Sequence, residues 1–357
     1  MTNTNRAKII GLGHYMPQRR IGNDTFLEWK FYDTNGRPIN KPNEEIIQKF
    51  YEITRIRERR YAEDHIKTSD MAAEAARQAL EDAGIEAGQL DYIIVGSNYG
   101  DIEPGSQFHD FVPSIASRVK YLLQIKNPDV VAFDILFGCP GWLEGVIQAH
   151  IQMKAGVSQY ALVIGAETLS RVRDPYSRDS MIFADGAGAA VLQLTTNPHQ
   201  GILSHVTRTY ASPEAEYLWN APSINKAHDQ SKKYIFMQGH KIYEFALTHV
   251  PEAMKICFDR SGEDIRELKK VFIHQANEKM DAAIVKRFFN LYGMTPPPGI
   301  MPSNIGFMGN SSVATIPTLM DQVRKGMLEG HDLRPGDLIL LASVGAGMNI
   351  NAVTMRF

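Results

Sequence analysis

Apolar residues in this chain follow two rhythms that alternate from end to end. Short, almost wholly apolar runs at Ala7-Lys-Ile-Ile10, Tyr92-Ile-Ile-Val95, Tyr160-Ala-Leu-Val-Ile164, Val271-Phe-Ile273 and Leu338-Ile-Leu-Leu-Ala342 have the length and character of buried strands. Longer segments between them carry apolar residues three and four apart. The clearest is Thr68–Gly84, where alanines repeat along one face and a glycine ends the pattern. The same spacing predicts helices over 113–123, 239–258 and 278–290, and another beginning at Cys139. A glycine- and alanine-rich strand is expected over 182–192, and a further strand at 349–357. Buried strands alternating with helices predict an α/β protein.

The pattern also repeats. The interval from the strand at Tyr92 to that at Ala161 nearly equals the interval from Val271 to Leu338, which predicts an internal duplication. The halves are then 1–198 and 199–357, divided near the polar turn Thr195-Thr-Asn-Pro198, with Cys139 and Asn310 at equivalent helix starts.

Composition narrows the function classes. At 357 residues the chain exceeds one usual core, and its formal net charge of -2 gives no electrostatic basis for binding nucleic acid or an anionic membrane. Two cysteines make no disulfide framework or metal knuckle, and no apolar run approaches a membrane span or a secretory leader, so a soluble cytoplasmic protein without metal is expected. Gly11-x-Gly13 and Gly186-x-Gly188 lack the following helix that a dinucleotide or phosphate site needs, and read as close packing. Ile56-Arg-Glu-Arg-Arg60 reads as a solvated charged face, with the mouth of a phosphate-bearing ligand's site as the alternative.

Candidate chemistry centres on Ala132-Phe-Asp-Ile-Leu-Phe-Gly-Cys-Pro-Gly141, read as a strand ending on Gly138 that hands Cys139 to the first turn of a helix. A thiol there feels the positive end of the helix dipole, so its pKa is expected to fall and make Cys139 a nucleophile. Cys257, within a helical apolar pattern, reads as a buried structural cysteine. A cysteine nucleophile needs a partner and an oxyanion stabiliser. His274, directly after the strand Val271–Ile273, is the candidate partner, with Gln275 and Asn277 beside it. Asn310 supplies a neutral donor or, read locally, a helix cap. The turn Ser343-Val-Gly-Ala-Gly-Met348 exposes backbone N–H groups.

Cys139, Phe183-Ala-Asp-Gly-Ala-Gly-Ala-Ala-Val-Leu192, His274-Gln-Ala-Asn277, Gly309-Asn-Ser-Ser312 and Gly345-Ala-Gly347 occur in an order that resembles the ketoacyl synthase III condensing enzymes of the thiolase superfamily. The resemblance implies a five-layered αβαβα fold of two duplicated halves and a homodimer. It also implies acyl transfer from a coenzyme A or acyl-carrier-protein thioester to Cys139, followed by Claisen condensation, with no cofactor. In this reading the N–H groups of Cys139 and Gly347 form the oxyanion hole, and His274 and Asn310 bind the extender carbonyl.

Departures point to an unusual substrate. Lys49 and Ile53 stand where the family carries a tryptophan and an arginine that hold coenzyme A, while Arg178 and Lys279 keep basic character at carrier-binding places. Val112, beside Phe111, replaces a phenylalanine that floors the short-chain acyl pocket across the dimer, which favours medium, long or unusual acyl chains. An alternative is the joining of two β-ketoacyl thioesters to a cyclohexanedione precursor of dialkylresorcinol lipids, with Glu103 as a possible base. A catalytically silent partner subunit is the reading from another class.

Overall fold

The computed structural model describes residues 4–106 and 108–357; Met1, Thr2 and Asn3, part of the N-terminal reading, lie outside them. Two sheets organise the chain. In the first, the strands lie in the order Arg6–Tyr15, Asp185–Thr195, Tyr160–Thr168, Tyr92–Gly96 and Val131–Ile135. The first two pairings are antiparallel and the next two parallel. The second sheet repeats that order with Gly201–Thr209, Asn349–Arg356, Leu338–Gly345 and Leu268–Ile273, paired antiparallel, antiparallel and parallel. Where a fifth strand would follow, Val271 N–H donates to Ile300 C=O at 2.8 Å.

The helices Gly141–Lys154 and Thr315–Arg324 lie between the sheets. Nearly every residue of Thr315–Arg324 and most of Gly141–Lys154 are buried, including the polar Glu144, His150, Asp321 and Gln322. Trp142, Val146, Ile316 and Leu319 join Ile94 and Val163 of the first sheet to Ile339 and Val353 of the second in one core. Outside the first sheet pack Thr68–Ala83 and Ile115–Leu122; outside the second, Gly239–Ser261 and Glu278–Asn290. Helix, sheet, helix, sheet and helix therefore make five layers. Such close layering needs missing side chains. A Cβ on Gly13 would lie 2.4 Å from Ala75 O, and one on Gly188 would lie 2.7 Å from Thr318 N. Gly11, Gly13 and Gly188 serve close packing, as their sequence context implies.

Three local expectations are corrected. The strand before Cys139 ends at Ile135 and the helix begins at Gly141, so Cys139 sits in the turn between them. The basic run is not a solvated face: Arg59 and Arg60 are buried in the strand Glu58–Tyr61. Arg59 donates to Met181 O, Ile21 O and Asn23 Oδ1, so a hydrogen-bonded guanidinium ties three segments together where sequence shows only charge. Asn310 does not cap a helix, because the turn Ser312–Ala314 separates it from the helix starting at Thr315. Cys257 is fully buried, as expected. Among the described residues, no helix is long and apolar enough to cross a membrane.

Candidate active site

The C-terminal ends of the parallel strands in both sheets open into one cavity of about 420 Å³. Cys139, His274, Asn310 and Gly347 all line it. Its walls are mainly apolar, with Leu169, Phe183, Leu218, Ile235 and Met237 among them.

Backbone contact between the halves places Cys139. A Cβ on Gly345 would fall 2.4 Å from Cys139 N, and one on Gly138 would fall 2.6 Å from Ala346 N. The side chain of Asn349 pins this junction by donating to Ala346 O at 2.9 Å and Phe137 O at 3.4 Å. His274 follows the strand Leu268–Ile273, where its N–H donates to Ala342 O at 2.9 Å. Asn310 is docked by two backbone bonds, its N–H donating to Ile182 O at 2.9 Å and its C=O accepting from Ala184 N–H at 2.8 Å.

Ser312 connects these groups. It is buried with a left-handed φ of 53°, a conformation that costs a non-glycine residue about 1–3 kcal/mol. Its N–H donates to Asn310 Oδ1 at 2.8 Å, which leaves the Asn310 amide nitrogen for the cavity. Its carbonyl accepts from the Thr315 hydroxyl at 3.0 Å, and Thr315 Oγ1 lies 2.8 Å from His274 Nδ1. Its hydroxyl accepts from Asn98 Nδ2 at 3.4 Å, and Ser312 lines the cavity with Cys139.

Asn98 also donates to buried Glu167 from its backbone N–H at 2.7 Å and from Nδ2 at 2.8 Å, both to Oε1. Among the described residues, Glu167 Oε2 has no hydrogen-bond partner. Burial pushes the Glu167 carboxyl up to about 8, so it is largely protonated at neutral pH.

The expected fall in the Cys139 pKa is corrected. Cys139 opens onto the cavity and is not fully covered, yet burial pushes its thiol up to about 11; the Ser312 hydroxyl opposes this and the Glu167 carboxyl adds to it. Burial also lowers His274 to about 4. The resting pair is a neutral thiol and a neutral imidazole.

The remaining expected residues lie elsewhere. Glu103 is exposed in a turn and pairs with Lys67 at 2.9 Å, outside the cavity lining. Val112 is 86% exposed and Phe111 37% exposed, and neither lines the cavity of the single chain. Arg178 is exposed, 3.8 Å from Asp179, and Lys279 is exposed at the start of the helix Glu278–Asn290. Sequence reasoning missed Asn98, Tyr99, Glu167, Ser312 and Thr315. Glu167 carried one signal, a carboxylate near the end of an otherwise apolar strand.

Comparison with known proteins matches residues 133–211 to 3-oxoacyl-[acyl-carrier-protein] synthase III and residues 258–357 to the C-terminal part of that family. A β-ketoacyl-[acyl-carrier-protein] synthase III from Pectobacterium atrosepticum is 33% identical over 353 residues, 98% of this chain and 99% of the relative. The chain belongs to the 3-oxoacyl-[acyl-carrier-protein] synthase III family. It is therefore a ketosynthase-type acyltransferase with the thiolase-like fold. The synthase III from Aquifex aeolicus VF5 superposes on it with a TM-score of 0.78 at 29% identity, covering 98% of this chain and 100% of the other. The priming β-ketosynthase of the R1128 polyketide pathway superposes with a TM-score of 0.80 at 25% identity, covering 99% and 96%.

Proposed function

We propose that Cys139 takes an acyl group from a coenzyme A or acyl-carrier-protein thioester and passes it to the enolate of a second thioester. The observation that carries this reading is the convergence of Cys139, His274 and Asn310 on one apolar-walled cavity. In the first half-reaction the Cys139 sulfur attacks the thioester carbonyl, with the oxyanion held by the N–H groups of Cys139 and Gly347. In the second, carbon dioxide leaves the extender, Asn310 and His274 hold the enolate oxygen, and the enolate carbon attacks the acyl-Cys139 carbonyl. The new carbon–carbon bond forms as the carbon–sulfur bond breaks.

A cavity of about 420 Å³ with apolar walls suits acyl groups larger than acetyl. Exposed Arg178 and Lys279 suit the phosphate-bearing handle of the thioester. Glu103 pairs with Lys67 at 2.9 Å and lies outside the cavity lining of the single chain, so this reading assigns it no step. The active form in this reading is a homodimer. Among the described residues Val131–Ile135 is the edge strand of its sheet, and Phe108, Val112 and Leu136 are 73%, 86% and 69% exposed.

The test is intact-protein mass spectrometry after incubation with acyl and β-ketoacyl thioesters of graded length, on wild type and Cys139→Ala. A Cys139-dependent adduct is expected, heaviest with medium or long chains. Preferred loading of acetyl overturns the chain-length reading. Loading with no condensation product from any extender overturns the ketosynthase reading in favour of a silent subunit.

A further inference from the structure

Thr315 is buried, and its hydroxyl has three hydrogen-bonding neighbours. His274 Nδ1 lies at 2.8 Å, the Ser312 carbonyl at 3.0 Å and the Gln275 N–H at 3.4 Å. A hydroxyl has one proton to give and two lone pairs to accept with. The Ser312 carbonyl only accepts and the Gln275 N–H only donates, so the protonation of His274 Nδ1 decides the arrangement. With the Thr315 proton on the Ser312 carbonyl, Nδ1–H donates to Thr315 and every group has a partner. Nε2, the other ring nitrogen, is then an unprotonated acceptor on a residue that lines the cavity. If Thr315 instead donated to Nδ1, Nε2 would carry the proton.

The other polar groups around the cavity distinguish the two arrangements. Asn98 donates to Glu167 and Ser312, Tyr99 donates its hydroxyl proton to Asn220 at 3.0 Å, and the Asn310 oxygen is occupied by the Ser312 N–H. None of these is a base. Cys139 rests as a thiol, so the nucleophile forms only if something takes its proton. We propose that Thr315 is a positioning residue that holds His274 as the Nδ1–H tautomer, so that Nε2 takes the Cys139 proton and later returns it. The proposal rests on Cys139 being the acylated nucleophile.

The protons balance. The Cys139 S–H bond breaks, its proton moves to Nε2, and the sulfur attacks the thioester carbonyl. The leaving thiolate takes a proton from water as its carbon–sulfur bond breaks. The His274 imidazolium keeps Nε2–H while the extender anion is bound, and so donates to the enolate oxygen. When condensation expels the Cys139 thiolate, Nε2–H returns to sulfur. Thr315 accepts from Nδ1–H throughout and passes polarisation to the Ser312 carbonyl.

Two measurements on the full chain test this. Nitrogen-15 spectra of the histidine side chains, with His274 assigned by its loss in His274→Asn, are expected to show the Nδ1–H tautomer in the free protein at neutral pH; an Nε2–H tautomer overturns the proposal. This readout does not depend on activity. A wild type that forms no acyl adduct would sink the nucleophile reading while the tautomer assignment stood on its own. Second, loading of Cys139 from an acyl-coenzyme A at pH 7 is expected to slow at least about tenfold in Thr315→Val and to recover in Thr315→Ser. Alkylation by iodoacetamide at high pH, where hydroxide makes the thiolate directly, is expected to be equal in all three proteins. A Thr315→Val that loads at the wild-type rate, or that is slow in both assays, overturns the proposal.

Discussion

The N–H of Ser312 donates to Oδ1 of Asn310 at 2.8 Å, and this one bond decides which end of the Asn310 amide faces the cavity. An amide placed without it would present oxygen or nitrogen; here the nitrogen is left to donate. Asn310→Asp tests the consequence, since a carboxylate keeps the bond from Ser312 and loses the donor. Release of carbon dioxide from a malonyl thioester is expected to fall about 10²–10³-fold. Cys139 should still acquire its acyl adduct. A carboxylate variant that condenses at the wild-type rate removes Asn310 from the reaction.

Gly345 is the most confined position beside the nucleophile, with Cys139 N 2.4 Å and Cys139 Cβ 2.9 Å from where its own Cβ would stand. Both contacts are to atoms close to or in the backbone, which cannot yield as a long side chain can. Gly345→Ala is expected to displace Cys139 and abolish acyl loading in the mass-spectrometric assay, with the far-ultraviolet circular dichroism of the folded protein retained. Normal loading would mean that the turn is looser than this packing implies.

Glu167 links the site to stability. Its carboxyl rises from an ordinary value of 4.5 to about 8 in the folded chain. Between those values the unfolded chain has lost the proton and the folded one retains it, so unfolding free energy falls as pH rises, by up to about 1.4 kcal/mol per pH unit. The contribution is complete below the unfolded pKa and is lost as pH climbs through the folded one. Glu167→Gln keeps an acceptor for Asn98 and cannot titrate. Its urea midpoint relative to wild type is expected to rise steadily from about pH 5 to pH 8; parallel pH curves would show that Glu167 is already ionised at neutrality.

The sheet edge Val131–Ile135 and the exposed side chains of Val112 and Leu136 supply a prediction about assembly. Val112→Asp with Leu136→Asp is expected to convert a dimer to monomers in sedimentation velocity, because a charge desolvated at an apolar interface has no partner. An unchanged sedimentation coefficient places the interface elsewhere.

Strands and helices are legible in the residue pattern, while the five layers follow from the resemblance of the ordered motifs. Fully apolar runs identify strands covered on both faces, and three-and-four spacing identifies the helices that cover them, because burial depends on periodicity along the chain. That is why the helix Glu278–Asn290 emerges with the expected ends. Cys139 and His274 stand out at the ends of apolar runs, while Asn310 reads locally as a helix cap and joins them only through the resemblance. What those groups do at rest depends on packing between segments distant in the chain. The Cys139 thiol rises because of the protein packed around it, a quantity that no local dipole argument contains. Arg59 reads as solvated in a run of charges and proves buried because Met181, Ile21 and Asn23, distant in the chain, supply its acceptors. Ser312 figures in sequence only as the last residue of the Gly309-Asn-Ser-Ser312 motif, and Thr315 carries no mark of its own. Their importance comes from single hydrogen bonds across the chain, and the direction of a hydrogen bond is set by the three-dimensional placement of donor and acceptor.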